Sequence, residues 1–341
     1  MDERSQALLE FPVVRERLAE HASFGPGRRL CKALQPSSDP VIVARALDET
    51  DQTRALIEER PGLGVGGAHD IAPWVERAVR GGRLDPSHFL EIADTLEAGT
   101  RLRTALAEDR RHLLRDLTPD LHPLPVIRST LARSFDPAGE LLDTASARLG
   151  SLRSAVRVAY DRLRRRLDSL IGSELGAALQ EPIITLRNGR YVVPVRADAR
   201  NRVKGIVHDA SGSGQTLFVE PLVVVELGNA WREAQVAEAE EVARILDELS
   251  GLVAVHAPQL HETLATLARF DFWAAKAALS AEMGGIRAEV ASRSEIRLDQ
   301  ARHPGLTGTV VPIDVRIGDG YTALVVTGPN TGGKTVTLRT L

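Results

Sequence analysis

Apolar positions along most of the chain recur at helical rather than strand spacing. Leu8, Leu9, Phe11, Val14 and Leu18 can share one helical face and predict helix near the start. Gly25-Pro26-Gly27 breaks that pattern, and a helix can restart at Gly27. Pro36-Ser37-Ser38-Asp39-Pro40 reads as a loop, with Asp39 placed to cap a helix running to about Glu59. Pro61-Gly62-Leu63-Gly64-Val65-Gly66-Gly67 reads as a connector, because its spacing is not that of a phosphate-binding loop and no Lys-Thr follows. Asp70 to Arg80 and Asp85 to Leu106 predict further helices, the second opening with Asp85-Pro86, a cap followed by proline at the first helical position. Residues 1–143 thus read as helical.

The pattern then lengthens. Leu149, Leu152, Val156, Leu163, Leu167 and Leu170 recur at three- and four-residue steps, with Ala159 and Tyr160 bridging the gap after Val156. Such a seam over 144–179 is coiled-coil-like. A matching seam runs through 222–255 with Trp231, Ala234, Val242, Ile245, Leu249 and Leu252. Between the two, Pro182 to Pro221 changes to strand character. Ile183 to Arg187 meets Asn188-Gly189, a hairpin turn, then Tyr191 to Val195. Val203 to His208 and Thr216 to Val219 predict two more strands, joined by Ser211-Gly212-Ser213-Gly214-Gln215, and Pro194 predicts that its strand is an edge or is bulged. Two helices of matched length around a non-helical middle predict an antiparallel arm. Residues 256–285 return to helix, closed by Met283-Gly284-Gly285. From 290 onward Glu295 to Leu298, Val310 to Asp314 and Ala323 to Val326 read as strands opening an α/β domain.

Composition narrows the classes. The formal charge is −3 with a pI near 6.3, so no global signature of a nucleic-acid binder exists, although a local one is compatible with it. Only Lys32, Lys204, Lys276 and Lys334 are lysines among 43 basic residues, for which codon bias toward arginine is sufficient cause. Aromatic residues are 4%, so a core must rest on Leu, Val, Ile and Ala. Cys31 is the sole cysteine, which rules out an intrachain disulfide and suits a reducing compartment. The N-terminus lacks an apolar signal region, and no apolar run approaches the length of a membrane helix. These features predict a soluble cytoplasmic protein with no membrane partner. His112, His122 and Cys31 are not spaced as a metal cluster.

Charge divides along the predicted arm. Arg153 to Arg166 holds six arginines against Asp161, a net of +5, and Glu226 to Glu248 holds seven acids against Arg232 and Arg244, a net of −5. The two helices are placed to neutralise each other across the seam. In the β middle, Arg187, Arg190, Arg196, Arg200, Arg202 and Lys204 stand against Glu181, Asp198 and Asp209, a net of +3. A basic tip of this kind is either a phosphate-backbone contact or a solvated face, and the six cations are the candidate nucleic-acid-binding residues.

The sharpest chemical signal is Gly328-Pro329-Asn330-Thr331-Gly332-Gly333-Lys334-Thr335, the pattern G-x-x-x-x-G-K-[ST], after an apolar run and before a helix start. Gly328, Gly332 and Gly333 lack a Cβ, so the backbone can curl and come close to a phosphate. The curled amides point N–H dipoles inward at an anion. Lys334 can reach the β- and γ-phosphates, and the Thr335 hydroxyl can ligate Mg²⁺, so ATP and Mg are the expected ligands. His303, upstream with no second ligand nearby, fits a nucleotide-pocket wall or a loop-fixing hydrogen bond better than a metal or acid–base role. A small-molecule kinase is the weaker reading of the loop, since nothing upstream resembles a substrate pocket.

Taken together, Thr327 to Thr335, Ala301-Arg302-His303-Pro304, Val203 to Asp209, Gly214 to Pro221 and Leu9-Glu10-Phe11 resemble the MutS family of ATPases. They are most similar to its second bacterial paralogue, which lacks the mismatch-reading N-terminal domains. The resemblance implies a mainly α fold: a helical lever (1–143 and 256–285), an inserted antiparallel coiled-coil clamp (144–255, helices 144–179 and 222–255) carrying a small β tip (182–221), and the start of an α/β P-loop ATPase domain of the ABC type (290–341). It implies a homodimer through the complete ATPase domain. It also implies clamping of branched or duplex DNA, suppression of homologous recombination, and binding of collided ribosomes and their RNA. Lys334 and Thr335 carry over as phosphate and Mg²⁺ ligands, the amides of Asn330 to Thr335 as the phosphate cradle, and Val310 and Val311 fall where the family places an adenine contact. The sequence stops six residues after Thr335. The family's Walker-B acid, signature serine region, catalytic histidine and small nuclease-like domain are therefore expected outside it, and the chain is expected to bind ATP without hydrolysing it. The alternative is that residues 1–290 act alone as a passive nucleic-acid- or ribosome-binding scaffold.

Overall fold

A computed structural model describes residues 3–306, 309–318, 320–328 and 333–340. Helices α1 (Glu3–Leu8), α2 (Phe11–Glu20), α3 (Gly25–Lys32), α4 (Pro40–Glu59), α5 (Ala72–Val79), α6 (Pro86–Leu106), α7 (His112–Arg115) and α8 (Pro125–Ser134) follow one another, and α9 (Leu149–Gly172) comes next. Strands β1 (Thr185–Arg187), β2 (Arg190–Arg196), β3 (Gly205–Ala210) and β4 (Thr216–Pro221) precede the long helices α10 (Leu222–Val255) and α11 (Ala257–Glu282). Strands β5 (Ile296–Ala301) and β6 (Ile313–Ile317) and helix α12 (Lys334–Thr340) complete the described elements. The protein is mainly helical with small antiparallel sheets, and the chain divides into two compact units.

The first unit comprises residues 1–81, 88–128 and 253–341. Most of its helices form where the sequence predicts, but the first apolar run breaks at Leu9-Glu10 into α1 and α2, and α3 begins at Gly25 rather than Gly27, because Pro26 is suited to the first turn of a helix. The Asp39 carboxylate accepts the N–H groups of Val41 at 2.8 Å and Ile42 at 3.4 Å, so α4 starts on the expected cap. Helix α11 is the central packing element: Leu260, Leu267, Phe270 and Ala275 are fully buried. It also buries one acid, Asp271, which accepts from the Ser23 N–H at 3.0 Å, the Ser23 hydroxyl at 2.5 Å and the Phe24 N–H at 3.4 Å. Phe24 precedes α3 and has no side chain able to cap it, so the α11 carboxylate holds the turn instead. The fit is close: a Cβ on Gly27 would lie 2.0 Å from Asp271 Oδ2. Cys31 is fully buried in the same cluster, and its thiol pKa is pushed up to about 11, first by burial and then by Asp271.

The second unit comprises residues 82–87 and 129–252. Its long helices run antiparallel: the Ser146 hydroxyl donates to Glu241, Arg153 pairs with Glu238, and the rings of Tyr160 and Trp231 lie 6.2 Å apart. Residue numbers rise on one helix as they fall on the other. Leu163, Leu167 and Leu170 of α9, with Val224 and Trp231 of α10, close onto Val193, Val195 and Val219 of the sheet. That sheet has the order β1-β2-β4-β3, all antiparallel. The Asn188-Gly189 turn has φ of 50° and 73°, as the hairpin signal requires. Pro194 corrects one expectation, because β2 is an interior strand and not an edge. The proline is tolerated because β1 ends at the Thr185–Val192 pair, and beyond it the Pro194 carbonyl accepts the Gln180 N–H at 2.9 Å.

A second correction concerns residues 323–326. Strands β5 and β6 pair antiparallel with each other, but 323–326 form no strand among the described residues. Leu324 and Val325 are exposed. An apolar run becomes a strand only where a neighbour takes its N–H and C=O groups, and no described element does so here.

Candidate phosphate loop and nucleic-acid interface

The phosphate-loop motif opens α12. Lys334 and Thr335 are the first two residues of that helix, and Gly328 and Gly333 precede them with φ of 144° and 77°. Side chains other than hydrogen rarely adopt such angles, so both glycines are required by the backbone path. The Lys334 ammonium reaches back and donates to the Gly328 carbonyl, bringing the cation over the start of the loop. An ideal Cβ at either glycine meets no described atom within 4 Å, so it is the positive φ and not crowding that calls for glycine at both positions. Pro329, Asn330, Thr331 and Gly332 lie outside the described residues. Val310 is half-buried and Val311 exposed, both on the segment before β6. His303 is buried and accepts the Gly305 N–H on Nδ1 at 3.1 Å, a contact that fixes its own loop.

The six cations of the β tip divide by what holds them. Arg200 donates to the carbonyls of Val203 at 2.6 Å and Gly205 at 2.8 Å, closing the turn between β2 and β3. Arg190 donates to Asn229 at 2.8 Å and pairs with buried Glu220 at 3.5 Å. Glu220 also meets His208 Nε2 at 2.7 Å, so three strands and the first turns of α10 share one polar cluster. Arg187 lies 4.4 Å from the centroid of the Phe218 ring, donates to the Leu186 carbonyl at 2.9 Å and pairs with Asp209 at 3.4 Å. Arg196 pairs with Asp198 at 3.4 Å and donates to the Ala177 carbonyl at 3.0 Å. Arg202 and Lys204 are exposed, and among the described residues no side-chain contact holds either. The tip therefore spends four cations on its own fold and offers two outright.

The charge division along the long helices resolves in a similar way. Ion pairs from the start of α9 to α10 are Arg148 with Glu241 at 3.8 Å and Arg153 with Glu238 at 3.3 Å. Further along, Arg164 pairs with Asp168 and Arg166 with Glu174, both on the α9 side, while Arg157 and Arg162 stay exposed with no described partner. Neutralisation across the seam thus holds at one end only. Glu241 is the most committed acid. Hydrogen bonds from Arg244 and then Ser146 lower its pKa to about 2. Sequence periodicity does not show the Asp271 staple or the His208–Glu220–Arg190 cluster, because both join residues far apart in the chain. A charged residue inside an otherwise apolar helical face is the one signal that marks Asp271.

Sequence comparison finds relatives along the whole chain. The chain is 42% identical over 342 residues to Endonuclease MutS2 of Symbiobacterium thermophilum, covering all of this chain and 43% of that relative. It is 44% identical over 348 residues to Endonuclease MutS2 of Geobacillus thermodenitrificans, covering all of this chain and 44% of the relative. Against the Geobacillus kaustophilus protein of the same name it is 45% identical over 340 residues, covering 98% and 43% respectively. No protein-family model matches the chain. A helical protein with a phosphate-loop motif and this end-to-end likeness is a MutS-type protein. Within that class the chain belongs to the MutS2 group, and it spans less than half the length of the curated relatives it matches. No helix among the described residues is long and apolar enough to cross a membrane.

Proposed function

We propose that this chain is the lever, clamp and first ATPase segment of a DNA-associated ATPase. In this reading α9 and α10 form a coiled-coil clamp, the four-stranded sheet is its tip, and β5 to α12 open an ABC-type nucleotide domain. The glycine backbone at 328 and 333, with Lys334 turned into the loop, carries the reading. Lys334 and the loop amides hold the phosphates, Thr335 supplies a hydroxyl for Mg²⁺, and Val310 and Val311 lie on the adenine side. Mg²⁺ held there would supply positive charge that offsets the phosphates. The complete protein would be a homodimer that grips branched or duplex DNA, couples grip to nucleotide state and restrains homologous recombination. Collided ribosomes and their RNA are a second target of the same clamp. The endonuclease in the relatives' names would reside in the part of those proteins that this chain does not span.

Binding of the chain to a four-way DNA junction across a salt series tests the clamp. Affinity should fall as salt rises, and Arg202→Ala with Lys204→Ala should lower both affinity and salt slope. An unchanged slope would move the contact off the tip. Exposed Arg157 and Arg162 favour a second reading in which residues 1–290 bind nucleic acid as a passive scaffold. That reading predicts junction binding indifferent to nucleotide, whereas a coupled clamp predicts a shift on adding MgATP.

A further inference from the structure

Leu9-Glu10-Phe11 has no part in the function proposed above, yet Glu10 has an unusual conformation. It sits between α1 and α2 with φ 57° and ψ 22°, a left-handed backbone that a residue with a Cβ adopts at a cost and glycine adopts freely. Glycine would suit the turn, so the glutamate side chain has to be explained by what it touches. Its Oε1 pairs with Arg339 of α12, 329 residues away in the chain. Its Oε2 lies over the turn after Pro304: a Cβ at Gly305 would sit 3.5 Å from that oxygen and 3.1 Å from the His303 ring. Two helical turns further along α2, Arg17 donates to the Pro304 carbonyl and pairs with Glu282, the last residue of α11, at 2.5 Å. His21 meets the same Glu282 at 2.7 Å. Glu10 and Arg17 thus hold both pieces that the family resemblance ties to nucleotide, namely the Ala301-Arg302-His303-Pro304 loop and the helix that begins Lys334-Thr335. All of these residues belong to one compact unit.

We infer that Glu10 is a positioning residue for the nucleotide site, acting through its ion pair with Arg339 on the helix that carries Lys334 and Thr335. The inference rests on the phosphate loop binding nucleotide. Glu10 touches no phosphate ligand itself. It fixes the orientation of α12, while Arg17 of the same helix pair holds the Pro304 turn beside it. Its side chain is 35% exposed and that of Arg339 43%, so the coupling is that of a partly solvated pair and its removal should shift affinity by a few-fold, not abolish it.

The test is titration of a fluorescent ATP analogue with Mg²⁺ into the full 341-residue chain, with thermal unfolding recorded alongside. Glu10→Gly keeps the left-handed turn without strain and deletes the carboxylate, and Glu10→Gln keeps the shape and deletes the charge. Both should weaken nucleotide binding about two- to fivefold, with Glu10→Gly melting no lower than wild type. Arg339→Glu should weaken it to a like degree, and the reversed pair Glu10→Arg with Arg339→Glu should restore it to within about twofold. Wild-type affinity in Glu10→Gly, or a reversed pair as weak as the single variants, overturns the inference while leaving the nucleotide site in place. A wild-type chain that binds no nucleotide overturns the reading of the loop and the inference with it.

Discussion

The β tip and the phosphate loop both announce themselves by composition, and the fold treats them differently. The tip gathers six cations in 187–204, four of which bind carbonyls, acids or a ring of their own unit. The loop has one cation, Lys334, which donates to the carbonyl of the first glycine of the motif. A cluster of charge therefore overstates what a surface offers a ligand. A spaced motif states it better, because its glycines have no structural use except to let the backbone pass where a side chain cannot. The polar atoms that build the tip are those that cannot be left unsatisfied: the Val203 carbonyl beside a buried side chain, and the buried Glu220.

The largest effect that separates the regions is expected at the loop. Lys334→Ala should weaken MgATP binding roughly ten- to a hundredfold, the scale of a charge-assisted contact to phosphate, and leave the melting temperature unchanged. At the tip the pattern should invert. Arg200→Ala strips two carbonyls of their donor and should cost about 1–3 kcal/mol of stability by chemical denaturation. Arg202→Ala with Lys204→Ala should change stability by less than about 0.5 kcal/mol and lower the salt slope for a DNA junction by about one for each phosphate that the side chains no longer neutralise. If Arg200→Ala melts like wild type, the division between structural and available cations fails.

The smallest effect sharpens the same division by pH. Glu241 has a pKa depressed from its ordinary 4.5 to about 2, so the folded state favours its ionised form. Its contribution is present above about 4.5 and is lost as pH falls toward about 2. Melting temperature against pH should fall more steeply for the wild type than for Glu241→Gln over that window. Equal slopes would mean that Glu241 makes no net contribution through Arg244 and Ser146.

Much of the fold was legible where the signal is local. Helical spacing, the Asp39-Pro40 start of α4 and the Asn188-Gly189 turn each depend on neighbours within a few residues, and each stands where the pattern places it. Pro194 and Ala323 to Val326 were not legible, because whether a residue lies in an interior strand depends on chains that pair from elsewhere. For the site, the Lys334-Thr335 pair could be read directly from spacing. The commitment of Arg190 and Arg200, and the contact of Glu10 with Arg339, could not, since a charge does not declare its partner in one dimension.

The role of the loop as a nucleotide site is tested most directly by calorimetric titration of MgATP into the wild-type chain. The prediction is saturable binding of a single nucleotide per chain, displaced by pyrophosphate. Absence of saturable heat, or binding that pyrophosphate leaves untouched, would contradict it.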